Sequence, residues 1–277
     1  MERFELANII ARMPEISRHL ALEDAQTKKR LTYLAAGVGV CLVAYKLHLR
    51  KRWFAWLFNA GTGARFEKYD NMKREFFKPL SDMASHDPEL REENSIKILE
   101  VGVGSGTNFE FFPDGCHLVA VDPNPFFGKY YDQNRSKFPN IKSTEIIVAK
   151  GENMDEVKND SVDAVVMTLV LCSVSDVHQI IRQVRRVLAP GGKFYFIEHV
   201  KEWDSKNHWL RRRLQQFLTF TGFWPLVFDG CRLDSDPMPV MRALGGFSEV
   251  KHEYFYAPVP GGVAKLVESH LRGVATK

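Results

Sequence analysis

The sequence predicts a doubly wound α/β domain, a mostly parallel sheet of seven strands with helices on both faces. Three observations carry that expectation. From Ser95 onward, strand-like apolar runs alternate with helical stretches, the pattern of parallel strands joined by crossover helices. The central run DAVVMTLVL (Asp163–Leu171) is apolar almost throughout, as a strand covered on both faces must be. The first strand ends in EVGVGSG (Glu100–Gly106), three glycines on alternate positions, which suits a tight turn passing close to a ligand. A chain of 277 residues holds one such domain and an extension.

Residues 1–60 are read as the extension. They carry ten Lys and Arg against five Asp and Glu, while the whole chain has a net charge of only +4, so the remainder is close to neutral. That distribution speaks against nucleic acid as a partner of the main domain. The run LTYLAAGVGVCLVAY (Leu31–Tyr45) is free of charge and sits between Lys28-Lys29-Arg30 and Lys46. As a helix it covers about 22 Å, short of a hydrocarbon core of ~30 Å. Snorkelling lysines extend its reach. An interfacial or hairpin anchor is the other membrane form, with Trp53 and Trp56 at headgroup depth and Arg50-Lys51-Arg52 on anionic lipid. Membrane lipid is therefore an expected partner, and a buried core helix is the competing reading. About thirty mostly polar residues precede the run, which argues against a cleavable signal peptide.

Residues 61–95 are read as a helical linker. Met72, Phe76, Leu80 and Met83 form its apolar stripe, and SHDPELREENS leads into the domain, residues 96–277. The strands expected there are Ile96–Val101, His117–Val121, Glu145–Ala149, Val162–Val170 and Lys193–Val200. A short helix after Gly106, then Phe126–Lys137, Met154–Lys158 and Val177–Leu188, lies between them. Ser248–Phe255 and the region after Gly262 are expected to close the sheet edge as an antiparallel pair.

In such a sheet the ligand sits beyond the carboxyl ends of the strands, near the switch in strand order. Gly102, Gly104 and Gly106 follow the first strand, Asp122, Pro123 and Asn124 the second, and Gly151-Glu152-Asn153-Met154 the third. Thr168 and Leu169 follow the fourth, and His199 the fifth. A dinucleotide fingerprint, G-x-G-x-x-G/A, fails in both frames, because Thr107 or Phe109 falls on its last position. The observed E-x-G-x-G-x-G places a carboxylate, Glu100, at the mouth of the first strand. There it would repel pyrophosphate and receive an amino group. That suits S-adenosylmethionine, with Asp122 on the ribose hydroxyls and Met154 against the adenine.

The motifs LEVGVGSGTNFEFFPDG, VDPNP, AKGENM, DAVVMTLVLCSV, RRVLAPGGKFYFIEHV and FDGC extend the reading. Over roughly residues 70–260 the chain resembles the class I, Rossmann-like methyltransferases. It is similar in particular to the methyltransferase-like 7 proteins, thiol S-methyltransferases of the endoplasmic reticulum and lipid droplets. The resemblance implies S-adenosylmethionine as cofactor, an N-terminal membrane anchor, and a small lipophilic thiol as acceptor. Two departures are a VGVGSG loop in place of VGCGTG, and an apolar run that starts about thirty residues in rather than near the first residue.

A thiol acceptor reacts as its thiolate, and deprotonation at pH 7 from a pKa of ~8.5 costs roughly 2 kcal/mol. One base covers that. His199 is the candidate, and Asp229 in FDGC is the candidate for orienting it. Cys172 reads as a small buried filler. The four cysteines form no CxxC pair, so the spacing predicts neither a metal site nor a disulfide framework. The aromatic stretch 203–228, with Trp209, Phe217, Phe220, Phe223, Trp224 and Phe228, admits a lid over the acceptor, a membrane-facing helix, or a core helix. Two other functions stay open at this level. One is the same cofactor with a carbon or oxygen acceptor on a quinone-like or lipid molecule. The other is a non-catalytic membrane or lipid-droplet protein on a relic fold.

Overall fold

The computed structural model describes residues 24, 26–34, 36–41, 43–45, 49–62 and 67–277. Two compact units divide the chain, Met1–Leu49 and Arg50–Lys277. In the first, residues 26–34 and 36–41 are helical, and Leu31, Tyr33, Leu34 and Val40 are largely exposed. Among the described residues no helix is long and apolar enough to cross a membrane. Ala35 and Leu42 of the apolar run, and all but Asp24 of the polar stretch from Met1 to Ala25, lie outside the described residues.

The second unit opens with α1 (Arg50–Thr62), α2 (Glu67–Phe77) and the short α3 (Pro88–Glu92). Its strands are β1 (Lys97–Val101), β2 (His117–Val121), β3 (Lys142–Ile147), β4 (Val162–Thr168), β5 (Leu188–His199), β6 (Glu249–Tyr256) and β7 (Ser269–Thr276). Between them lie α4 (Gly128–Arg135), α5 (Val177–Val187), α6 (Trp209–Phe220), α7 (Phe223–Val227) and α8 (Met238–Leu244). The seven strands form one sheet in the order β3-β2-β1-β4-β5-β7-β6. Five are parallel, and β7 runs antiparallel between β5 and β6. Strand order reverses between β1 and β4, which fixes the switch point beside Glu100.

Strand alternation divides the core into two layers. Leu99, Val101, Val165, Met167, Phe194 and Phe196 pack on one face against Ile180, Ile181 and Val184 of α5. Ile98, Ala164, Val166, Tyr195 and Ile197 pack on the other against Phe77 of α2. The linker is fastened to this second layer. Asp163, at the start of β4, accepts from Ser85 Oγ at 2.7 Å, His86 N at 2.6 Å and Lys97 N at 2.8 Å.

Two sequence expectations shift. The third strand starts three residues and ends two residues earlier than Glu145–Ala149, because pairing with β2 ends at Val121↔Ile147 and the chain then turns, with Ala149 N donating to Ile147 O. No helix forms over Met154–Lys158. Met154 and Val157 bury their side chains in the core, and Arg186 takes the carbonyls of both, at 2.7 and 2.8 Å, where a helix would use its own amides.

Candidate active site

Alternation sets a row of polar side chains on the α2 side of the sheet. Glu100 shares a face with Ile98, Thr168 with Val166, and His199 with Ile197. In the antiparallel β5–β7 register His199 stands directly opposite His270. A cleft of about 560 Å³ opens onto the Glu100 and Thr168 part of this row, lined also by Gly102, Gly106, Asn108, Leu169, Tyr69 and Lys73. That volume is within the ~300–1,000 Å³ usual for small-ligand sites.

At one end, Glu100 is 2% exposed. Its Oε1 accepts from Asn108 Nδ2 at 2.7 Å, and Asn108 also donates to Thr168 Oγ1 at 3.0 Å. Lys73 Nζ donates to Asn108 Oδ1 at 3.1 Å. Glu100 Oε2 has no partner among the described residues. Burial pushes the Glu100 carboxyl up to about 8, against the downward pull of Asn108 and Lys73. A buried carboxyl with one oxygen orphaned is costly in isolation and favours an incoming ammonium group. That is the fit the amino group of S-adenosylmethionine requires.

Asp122, 5% exposed, accepts from Gly104 N at 2.9 Å and Asn124 N at 2.8 Å, one bond to each oxygen. Burial raises it to about 6. The second lone pair on each oxygen stays available to ribose hydroxyls. Helix α1 lies over this loop. Lys51 Nζ donates to Pro123 O at 2.6 Å, Asn124 Nδ2 donates to Lys51 O at 2.8 Å, and Phe54 and Phe58 meet Phe127 edge-on.

The glycine turn is demanded by the chain itself. Gly102 and Gly106 have φ of +70° and +77°, and a Cβ would lie 2.4 Å from Val170 Cγ2 and 2.2 Å from the Phe109 ring respectively. Leu169, a leucine at φ 59°, is pinned by Ile197 O at 2.8 Å. Its two successors donate to Glu198 Oε1 at 2.9 Å each. A strained residue in a cleft wall is typical of functional positions.

Gly151, Glu152, Asn153 and Met154 are not brought to the cleft. A Cβ at Gly151 would meet Ile180 at 2.5 Å. Glu152 accepts from Ser175 N at 2.7 Å, Asn153 N closes a turn on Lys150 O, and Met154 is 1% exposed in the core. Apolar burial holds the thioether there. This loop fastens the region after β3 to α5.

At the other end, His199 is 4% exposed. Its Nε2 lies 3.0 Å from Cys231 Sγ, and its Nδ1 has no partner among the described residues. Ligand atoms of Cys172, His199 and Cys231 all lie within 4.8 Å of one another. Trp224 Nε1 donates to Cys231 Sγ at 3.3 Å. The hydrogen-bonded Cys231, with burial, pushes the Cys172 thiol up and keeps its proton on. Tyr69 Oη lies 3.5 Å from His270 Nε2, and burial depresses His270 to about 3, so it stays neutral. Asp229 does not orient His199. It pairs with Arg50 at 2.9 Å, because its φ of 47° turns it toward α1. Of the aromatic stretch, Trp209, Phe217, Phe220 and Phe223 are more than half exposed while Trp224 is buried; α6 is amphipathic, with Gln215 and Thr219 on its buried face.

Sequence reasoning missed Asn108, Lys73, Tyr69 and His270. Asn108 was legible as the first amide after the glycines. Tyr69 continues the apolar stripe of α2 one turn earlier and Lys73 flanks it, so periodicity places both on the buried face without marking them as functional.

A buried acid, a second acid one strand over and a switch-point cleft define a class I methyltransferase. A methyltransferase-domain profile matches residues 99–196. Human thiol S-methyltransferase TMT1A is 37% identical over 228 residues, 82% of this chain and 87% of the relative. Rat TMT1B is 34% identical over 230 residues, again 82% and 87%. Among solved structures, a possible exported protein from Bordetella parapertussis shares the fold at a TM-score of 0.51 and 13% identity, covering 75% of this chain and 67% of that one. The chain belongs to the S-adenosylmethionine-dependent methyltransferase family of TMT1A and TMT1B. Glu100, Asp122 and the glycine turn are the residues that would hold the cofactor, which supplies an electrophilic methyl group on a sulfonium.

Proposed function

We propose that this methyltransferase acts on the sulfur of small lipophilic thiols at a membrane surface. One observation carries the reading. The cleft lined by Glu100 and Leu169 adjoins a buried cluster of imidazole and sulfur, with Cys172 Sγ 3.6 Å from the Leu169 carbonyl. A soft, poorly hydrated end suits a thiol better than a hydrogen-bonding acceptor. The relatives named above are thiol S-methyltransferases by name, which supports the same acceptor. Trp53 and Trp56 on α1, and Trp209, Phe217, Phe220 and Phe223 on α6 and α7, expose a large amount of aromatic surface. Such surface supports association with membrane lipid, at the endoplasmic reticulum or a lipid droplet. The apolar residues 31–45 support it too.

The test is full-length protein in liposomes with methyl-labelled cofactor and a panel of short alkyl thiol, phenol, amine and quinone. A methyl thioether is the expected product, formed faster as pH approaches the thiol pKa of ~8.5. Incorporation into phenol or quinone without thioether would replace the acceptor class. Loss of flotation with liposomes when Phe220 and Phe223 become Asp is expected, and unchanged flotation would remove the membrane reading of α6 and α7.

A further inference from the structure

The buried sulfur and imidazole beyond Thr168 invite a more specific role. Cys172 follows β4, His199 ends β5, and Cys231 follows α7, so three separate elements converge on one point. Each chain segment aims a soft donor atom at the same place, within 4.8 Å of the other two. Tetrahedral zinc with sulfur at about 2.3 Å and nitrogen at about 2.0 Å needs ligand atoms a little under 4 Å apart, which this spread accommodates with small side-chain rotations. His199 presents Nε2 to this cluster, 3.0 Å from Cys231 Sγ; with a metal there, Nδ1, which has no partner among the described residues, is left as the N–H side of the ring. Trp224 donates an N–H to Cys231 Sγ at 3.3 Å, the outer hydrogen bond that commonly steadies a metal-bound thiolate. Cys116 offers the contrast: it is fully buried among Phe77, Phe112 and Leu118, and belongs to no such cluster.

We infer that Cys172, His199 and Cys231 form a zinc site with one open position, and that the acceptor thiol binds there as the fourth ligand. The site adjoins the cleft. Cys172 Sγ lies 3.6 Å from the carbonyl of Leu169, a residue of the cleft wall, and Tyr69, another, touches His270 beside His199. Two cysteine thiolates and a neutral imidazole bring zinc to zero net charge, which suits a buried position. Both cysteine protons leave on metal binding.

The arrangement solves a problem the geometry otherwise leaves open. Nε2 of His199 faces Cys231 Sγ at 3.0 Å, and His199 is not among the residues that line the cleft, so its imidazole is not placed there to take the acceptor's proton. At the open position the acceptor thiol gives its proton to solvent and its sulfur lone pair to zinc, displacing water. A second lone pair on that sulfur then forms the new S–C bond. The donor's C–S bond breaks, and its electron pair stays on the departing sulfide. The acceptor's negative charge and the sulfonium's positive charge cancel in the step.

The zinc site stands without the thiol reading, while the fourth-ligand role rests on it. The experiment separates the two. Full-length protein purified without chelators is analysed for metal. About one zinc per chain is expected, lost in Cys231→Ser and Cys172→Ser and kept in Cys116→Ala. Cofactor binding, which uses the Glu100 end, verifies that each variant is folded. Cobalt substitution then gives thiolate charge-transfer absorption, and a short alkyl thiol shifts the tetrahedral d–d bands. Absence of stoichiometric metal, equal loss in Cys116→Ala, or a Cys172–Cys231 disulfide in its place overturns the site. Cobalt bands that ignore the thiol overturn the fourth-ligand role. Zinc retained in a protein that methylates only phenol or quinone overturns the thiol acceptor and leaves the site.

Discussion

The two ends of the polar row differ in kind. At β1, Glu100 is a hard, chargeable group wired to Asn108 and Lys73, with one oxygen left over. At β5, His199 sits among sulfur atoms, with no carboxylate in the cluster. Both are buried to a few per cent exposure, so burial does not separate them. Their leftover valence does. An orphaned carboxylate oxygen waits for a cation, and clustered soft donors wait for a soft partner. The hard end on β1 and the soft end on β5 are separated by the single strand β4.

The largest expected effect tests the hard end. Glu100→Gln keeps the Asn108 hydrogen bond and deletes the charge. Cofactor affinity, by calorimetry, is expected to fall roughly 10- to 100-fold, the worth of one charge-assisted hydrogen bond. The unliganded protein is expected to gain stability. The sign follows from the folded-state pKa of about 8, raised above the ordinary 4.5. A carboxylate of that kind makes the fold less stable as pH climbs from the lower value to the higher, by up to about 3 kcal/mol at pH 7. Several degrees of added Tm in the variant are expected, with a flatter Tm–pH curve. A lower Tm would make Glu100 a structural residue.

Next comes Asp122→Asn, expected to weaken the cofactor about tenfold and to cost about 1–3 kcal/mol, because one backbone N–H then faces an amide NH₂. Chemical denaturation and cofactor titration measure the two parts. A variant as stable as the parent would show that the Gly104 and Asn124 bonds are dispensable.

A pH series sharpens the same contrast. Below about pH 8 Glu100 holds a proton that the cofactor's ammonium must displace. Affinity is therefore expected to rise with pH toward 8, then fall as an amino group of pKa ~7.7–8.0 loses its proton. Calorimetry in two buffers at pH 6 should register release of about one proton per cofactor bound, absent in Glu100→Gln. No proton release in the parent would place the carboxylate outside the binding step.

Tyr69→Phe is the smallest. Its 3.5 Å contact to His270 is weak, and less than a threefold change in kcat is expected. A larger drop would give the soft end a proton path through Tyr69.

Much of the fold was legible. Alternating apolar and helical periods gave the parallel strands, since a strand buried on both faces has no other composition open to it. Where periodicity was weak, the reading slipped. The stretch after β3 looks like strand then helix, yet Arg186 from α5 ties it into a turn. Glu100, Asp122 and the glycines were readable because their chemistry is local, an acid at a strand end and a turn no Cβ would fit.

The sequence by itself determined the sheet, its switch point and the buried acid at the mouth of the first strand, because each follows from residues close together in the chain. Tertiary structure alone decided what faces His199. Asp229, two residues from Cys231, turns away to Arg50, while Cys172 and Cys231 arrive from opposite sides of α5, α6 and α7. Cysteine spacing gave no hint of that cluster. Distance along the chain says little about which donors meet when strand register and loop conformation, rather than one short motif, bring them together.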